Sequence, residues 1–293
     1  MHRLLSRLAR TSATFASLAL LALIIGQFGA WHWFAELFSH FLPAYALAFL
    51  LAACCVRGHA RWFWLACTLA CLFWLAQPLA LWQTPSFTAN QRLIWYNVHL
   101  HNPAAAQESA HLLAHNADYL ALAEIDLANP GWQALREHYP YGCEHREHSP
   151  FALALWAKTP LADCRIHFID DYPYIRATLT DGTALYALHP PPPIHPALAA
   201  SRQRYLQDSA AHIAGDRHAI VTGDLNLTPY SPLYRRFVRD SGLQAATPNY
   251  LPTWKPFYLN IDLAFARHLT LRTQALPWQY SDHRPLLLHW RTP

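Results

Sequence analysis

Acid, amide and imidazole groups recur in this chain at the ends of apolar runs. Gly223-Asp224-Leu225-Asn226 follows the run HAIV, and Ser281-Asp282-His283-Arg284-Pro285 leads into PLLLHW. Strand ends are rigid, so groups placed there keep fixed relative positions, and this mixture of groups suits a divalent cation and a phosphate ester. A phosphodiester is already anionic and repels a nucleophile. Its hydrolysis therefore asks for a cation on a phosphate oxygen, hydrogen-bond donors around the developing charge, and a base that aligns water. Hard oxygen ligands favour Mg2+, with Mn2+ as a substitute, and Mg2+ takes only one or two carboxylates while retaining several waters. Asp224 and Asn226 are spaced two apart, so on an extended segment they face the same side. There the carboxylate can take a proton from water while the amide steers the carboxylate or the phosphate. The same tetrapeptide, followed by Thr228-Pro229, also suits a plain turn.

Four more polar residues extend the pattern. Asn97 closes LIWY, Glu124 closes YLALA, His189 ends TALYAL, and Asp262 lies in YLNIDLAFA. Taken together and in this order, these motifs resemble the endonuclease/exonuclease/phosphatase superfamily over roughly residues 90 to 293. Its members include DNase I-like nucleases, abasic-site endonucleases, neutral sphingomyelinases and inositol polyphosphate 5-phosphatases. The resemblance implies an α/β fold, the four-layer α/β/β/α sandwich, and a Mg2+-dependent phosphoesterase, most simply a phosphodiesterase. It implies that Glu124 binds the metal, that Asn97 supports the same site, and that Asp282 lies close to it. By the same resemblance Asp224 is the base or water-aligning group and Asn226 its orienting partner. His283 contacts the scissile phosphate and is held by Asp262, while His189 donates to a phosphate oxygen. Asp126 is a rival for the metal beside Glu124. Leu263 departs from the pattern, standing where an aromatic residue or His is frequent, and the domain is short, which weakens a DNA-repair assignment.

Residues 1–82 are a different polymer. No charged residue occurs from Thr11 to Ala35, from Leu37 to Val56, or from Trp62 to Gln91. Each stretch supplies the roughly 20 apolar residues needed to cross about 30 Å of hydrocarbon. Three membrane helices are expected, near 12–32, 40–57 and 62–82, with a linker over 83–91 and the catalytic domain over 92–293. A cleaved signal peptide would account only for the first, and a soluble hydrophobic hairpin would need a larger partner domain. Arg3, Arg7 and Arg10 precede the first stretch, and Arg57 and Arg61 lie between the second and third. The positive-inside rule then places the N-terminus in the cytoplasm and, after three spans, the domain outside it, in the periplasm of a Gram-negative cell. Several N-terminal spans before a compact domain are similar to the bacterial membrane-anchored members of the superfamily.

The formal charge of +4 does not signal nucleic-acid binding. Five arginines and one acid fall in the first 89 residues, leaving 17 basic and 17 acidic side chains in the rest. The domain is neutral, without the footprint a polyanion requires. A phosphate-ester substrate such as a lipid head group or nucleotide fits this balance, with an extracytoplasmic nuclease or a non-catalytic membrane scaffold as alternatives. Cys143 and Cys164 are the cysteines of the domain; in an oxidising compartment they could pair, and two free buried thiols are the alternative. Its fifteen histidines raise a zinc or copper alternative through His99/His101 or His145/His148, yet no Cys-x-x-Cys or His-Glu-x-x-His accompanies them. No Gly-x-Ser-x-Gly supports a serine nucleophile.

The elements that must position these groups alternate. RLIWYNVHL, DYLALAEI, FALALWA, ADCRIHFI, YIRATLT, TALYALH and HAIVTG read as strands, followed by three terminal strands. Helices are expected over 103–116, 129–139, 196–214 and 231–240, and Asp181-Gly182 marks a hairpin turn. Such mixed order suits two stacked sheets covered by helices.

Overall fold

The computed structural model describes residues 2–77 and 88–291, with side chains from residue 6 onward. Four helices come first: α1 (His2–Gly26), α2 (Trp33–Leu37), α3 (Leu42–Cys55) and α4 (His59–Leu75). The domain then runs β1 (Gln91–Asn97), α5 (Ala105–Ala114), β2 (Tyr119–Ala123), α6 (Gln133–His138), β3 (Tyr141–His145), β4 (Leu153–Ala157), β5 (Asp163–Ile169), β6 (Tyr172–Thr178) and β7 (Ala184–Leu188). It closes with α7 (Pro196–Ala214), β8 (Ala219–Asp224), α8 (Pro232–Ser241), β9 (Gln244–Ala245), β10 (Asp262–Arg267), β11 (Leu271–Ala275) and β12 (Leu286–Trp290).

Local chemistry sets the boundaries. Pro196 and Pro232 open α7 and α8, where a missing N–H costs nothing. Ser231 caps α8 by accepting from the Leu233 N–H at 3.1 Å. Asp181 makes the β6–β7 turn by accepting from the Thr183 N–H at 2.8 Å.

The strands form two six-stranded sheets, ordered β11-β12-β1-β2-β4-β3 and β5-β6-β7-β8-β10-β9. β1 and β2 are parallel in one sheet, and β7 and β8 in the other, each pair joined through a helix, as parallel neighbours require. Trp95, Leu286, Leu288 and Trp290 of the first sheet meet Ile175, Leu185, Ile220 and Ala264 of the second in the central core. On the outer faces, Leu112, Trp132 and Leu135 cover the first sheet, and Tyr205, Leu206 and Phe237 cover the second. Burying each such aliphatic or aromatic side chain contributes about 1.5–3 kcal/mol, which is what holds four layers together. β2, β4, β7 and β8 are buried at every position, so the unbroken apolar runs read from the sequence are strands covered on both faces.

Two strands were not expected, β3 and the two-residue β9. β3 (YGCEH) mixes small and polar residues at the exposed edge of its sheet, so it lacks an apolar alternation. It carries Cys143, which is disulfide-bonded to Cys164 on β5, with Cα atoms 5.9 Å apart. The bond ties the edge of one sheet to the edge of the other.

Among the described residues, two helical stretches suffice by length and composition to cross a membrane, Ser6–Ala30 and Trp33–Cys55, of 25 and 23 residues. The expected third span, 62–82, corresponds to α4, a helix of 17 residues, and its final part lies outside the described residues. At about 1.5 Å per residue α4 rises roughly 25 Å, short of a full hydrocarbon core. Most of the expected linker over 83–91 also lies outside the described residues. The first two stretches begin earlier than their expected positions at 12 and 40, since helix starts at His2 and again at Trp33. The helices pack on each other through Ala16, Phe49, Trp64 and Cys71, and leave Phe15, Leu18, Leu51, Leu69 and Phe73 exposed. Their ends meet the domain: the Asn249 N–H donates to the Gln77 carbonyl at 2.7 Å, and Arg235 donates to Gln27 at 2.9 Å.

Candidate active site

Each parallel strand pair delivers two polar groups to the same end of the sandwich. Asn97 ends β1 and Glu124 follows β2, while His189 follows β7 and Asp224 ends β8. β10 runs antiparallel to β8 with Asp262 opposite Asp224, and His283 lies just before β12. The glycine before Asp224 has a spatial reason: a Cβ on Gly223 would lie 2.2 Å from the Leu188 carbonyl oxygen on the neighbouring strand. Close approach of β7 and β8 thus sets His189 beside Asp224.

The side chains converge. Asn97 Nδ2 donates to Glu124 Oε1 at 2.8 Å and to Asp224 Oδ2 at 3.2 Å. His189 Nε2 lies 3.8 Å from the same two oxygens. His283 Nδ1 pairs with Asp262 Oδ2 at 2.8 Å, and its Nε2 stands 3.7 Å from Asp224 Oδ2. Asn97, His189, Asp224, Asp262 and His283 are all buried, while Glu124 is partly open to solvent.

Burial and neighbouring charge set the protonation. Burial raises the Asp224 carboxyl, and the like charge of Asp262 adds to it against the opposing pull of His283, bringing it to about 7. Burial acts to lower His283, but Asp262, its hydrogen bond, Asp224 and Asp282 outweigh that and push it up to about 10. His189 is lowered, chiefly by burial. The site therefore pairs a cationic imidazole with a carboxylate poised near neutrality.

Two expected residues sit differently from the rest. The extended geometry that would put Asn226 on the same side as Asp224 ends at Asp224; Asn226 is left-handed, with φ of 50°. Its side-chain amide donates to the Pro190 carbonyl at 3.0 Å, and its backbone N–H, at 2.9 Å, is what reaches Asp224 Oδ1. Asn97 takes the place beside the carboxylates that spacing assigned to Asn226. Asp282 accepts from Trp254 Nε1 at 2.8 Å through Oδ2, while its Oδ1 is buried without a hydrogen-bond partner. Glu124 is also left-handed, with φ of 55°, a conformation that costs a non-glycine residue on the order of 1–3 kcal/mol.

Three supporting residues were missed. Trp95 Nε1 donates to Asp262 Oδ1 at 2.9 Å, so Asp262 is gripped from the opposite sheet while it holds His283. Ser281 Oγ donates to the Asn97 carbonyl at 2.8 Å and accepts from the His283 N–H at 3.0 Å, joining the two clusters. The Trp254 ring centroid lies 6.2 Å from that of His283. Trp95 reads in sequence as a core aromatic, and only the alternation of LIWY, which points it at the second sheet, hints at more.

The donor set fits a divalent cation. Glu124, His189 and Asp224 place ligand atoms within 4.8 Å of one another, as do Asp224, Asp262 and His283. Two facing carboxylates bridged by a single amide leave negative charge that a cation would neutralise; Asp282 belongs to neither group. Among the described residues these are the groups of three or more metal-ligating side chains, and neither includes His99, His101, His145, His148 or Asp126. Asp126 accepts from the Ala128 N–H of its own turn. A cavity of about 710 Å3 bounded by Asn129, Arg136, Tyr141, Glu144 and Trp156 contains none of the site residues.

A profile of the Endonuclease/Exonuclease/phosphatase family matches residues 94–283. No curated protein sequence matches the chain. Among solved structures it is similar to sphingomyelinase C from Streptomyces griseocarneus, with 16% identity, TM-score 0.54, and coverage of 70% of this chain and 99% of that one. It is also similar to the human Nocturnin catalytic domain with bound sulfate, with 19% identity, TM-score 0.52, and coverage of 71% and 97%. A beta toxin mutant from Staphylococcus aureus with bound magnesium ions gives 14% identity, TM-score 0.52, and coverage of 69% and 99%. At these identities the likeness establishes the shared sandwich.

Proposed function

The chain belongs to the endonuclease/exonuclease/phosphatase family, and we propose that it is a Mg2+-dependent phosphodiesterase fixed to a membrane by its N-terminal helices. As a family member it is a hydrolase of phosphoric esters. The observation that carries the finer reading is the convergence of Glu124, His189, Asp224, Asp262 and His283 around Asn97. Glu124 would hold the cation, with Asn97 and Asp282 supporting the site, and the cation would supply positive charge at the phosphate. The magnesium bound by the Staphylococcus aureus beta toxin mutant supports that choice of ion.

The remaining work falls to the chain's own groups. Asp224, raised toward neutrality, accepts the proton of the attacking water. His283, kept cationic by Asp262, donates to a phosphate oxygen as charge builds there. Trp95 and Asp262 fix the orientation of that ring, so its Nε2–H is the one presented. His189 offers a second donor at the carboxylate pair.

Location outside the cytoplasm is supported by two observations. Gln27, Glu36, Trp74 and Gln77, at the ends of α1, α2 and α4, all meet the domain, whereas Arg10, Arg57 and Arg61 lie toward the opposite helix ends. Three crossings would then separate the arginines from the domain, with α4 shorter than the other two. The disulfide suits an oxidising compartment. A substrate held at a bilayer surface, such as a phospholipid head group, is favoured by Phe257 and Tyr258, two exposed aromatics beside Phe41 of the helical segment. A nuclease finds less support, because the domain's charges balance.

The test is hydrolysis by the full chain in detergent of bis-p-nitrophenyl phosphate, a phospholipid and single-stranded DNA, with and without Mg2+ or Mn2+. Asp224→Ala and His283→Ala run beside the wild type. Metal-dependent turnover lost in both variants supports the reading, metal-independent or variant-insensitive hydrolysis refutes the site, and complete inactivity favours a non-catalytic scaffold.

A further inference from the structure

Glu36 is the one acidic residue of the first 89, and it is completely buried. It stands on α2, near the start of the apolar stretch Trp33–Cys55, where a lone carboxylate would be costly without partners. Its hydrogen-bond donors come from the catalytic domain, and His40 Nε2 of its own segment lies 3.6 Å from Oε1. Arg202 of α7, also completely buried, pairs with Glu36 Oε2, and Ser231 Oγ donates to Oε1 at 2.7 Å. Gly29 makes room for the arrangement: a Cβ there would lie 2.5 Å from the Glu36 Cα and 2.6 Å from its Cβ.

The second hand of Arg202 reaches the active site. Its other terminal nitrogen donates to the carbonyl of Asn226. That residue holds the left-handed turn directly after Asp224, with its N–H on Asp224 Oδ1 and its side chain on the Pro190 carbonyl next to His189. Two residues on, His40 Nδ1 lies 3.0 Å from Thr228 Oγ1 and accepts from the Thr228 N–H at 3.4 Å. The helical segment thus grips the turn at both ends, through Glu36–Arg202 and through His40. Neither Glu36 nor His40 touches the carboxylate cluster itself.

We propose that the apolar N-terminal segment is a built-in positioning element of the active site, acting through Glu36, Arg202 and His40 on the Asp224–Thr228 turn. A buried ion pair gains little over apolar packing but fixes which groups meet, and here the groups lie 166 residues apart in sequence. The guanidinium fork serves a carboxylate and a carbonyl at once, which a lysine ammonium does less well. Loss of the pair frees the Asn226 carbonyl, lets the strained turn relax, and displaces Asp224. This deepens the hydrolase reading, since it assigns the segment a role in turnover as well as in anchoring, yet it can be tested without it.

The experiment uses the full chain in detergent. Amide hydrogen exchange of the segment 223–229 is measured for wild type, Glu36→Gln and Arg202→Lys, together with kcat and KM for bis-p-nitrophenyl phosphate. Loss of protection at Asn226 and Thr228 is expected in both variants, with kcat falling on the order of 10²-fold, as for a misplaced catalytic group, and KM within about threefold. Gln27→Ala removes a contact between the same helices and α8 that does not reach the turn, and should leave both readouts at wild type. Wild-type protection and kcat in Glu36→Gln and Arg202→Lys would overturn the proposal, as would an equal loss in Gln27→Ala. Should either charge variant fail to fold, His40→Gln decides through protection at Thr228 alone: lost, it supports the grip, and retained, it overturns it. If the wild type hydrolyses nothing, the function reading falls and the exchange data still decide this one.

Discussion

Asp224 and His283 answer the same electrostatic demand from opposite sides: three carboxylates crowd a buried space, and one imidazolium is drawn in to balance them. The rate should therefore rise as pH passes upward through about 7 and Asp224 ionises, then fall through about 10 as His283 loses its proton. A bound cation stabilises the ionised carboxylate and draws the acid limb lower. In His283→Gln the alkaline limb should vanish, and the acid limb should move up, because His283 is what lowers Asp224; a profile unchanged in shape would contradict the pairing. Asp224→Asn should cost about 10²–10⁴-fold in kcat at neutral pH, checked by steady-state kinetics on a soluble diester. Residue type and strand-end position were enough to single out Asn97, Glu124, His189, Asp224, Asp262 and His283 in the sequence. Trp95 and Ser281 were not legible, since an indole N–H aimed across two sheets, or a hydroxyl joining two loops, leaves no periodic trace.

At the level of elements, two parallel strand pairs do the positioning, and their spacing depends on Gly223. Gly223→Ala should lower stability by about 1–3 kcal/mol through overpacking against Leu188 and depress turnover by moving Asp224; denaturant melts read beside kinetics would show both, and a neutral result would mean β7 and β8 separate freely. Breaking the Cys143–Cys164 link, by Cys143→Ser with Cys164→Ser, should lower stability by about 3 kcal/mol on the chain-entropy view while sparing kcat, because the bond closes the sheet edges and touches no site residue. Loss of activity without loss of stability would contradict that separation. Fully buried strands were easy to see as apolar runs. β3 was hidden because an edge strand needs no apolar face, and the turn at Asn226 was misjudged because spacing alone cannot tell where a strand stops.

Across the whole molecule, the boundary between apolar helices and neutral domain was plain in composition, but the contacts across it were not. Glu36 had the look of a loop residue between spans and proves to be a buried partner of Arg202. Orientation can be checked in intact cells: a cysteine introduced at exposed Tyr250 should react with a membrane-impermeant maleimide, whereas one introduced near Arg57 should react only after lysis. The reverse pattern would put the domain in the cytoplasm and leave the disulfide without an oxidising environment. The most direct measurement is titration of the full chain with Mn2+, following bound ion and hydrolysis of bis-p-nitrophenyl phosphate in the same samples. Activity should rise in step with occupancy of a site that Glu124→Gln weakens. Full hydrolysis in the presence of a chelator, or cation binding that survives this substitution, would contradict a cation pocket built on Glu124 and Asn97.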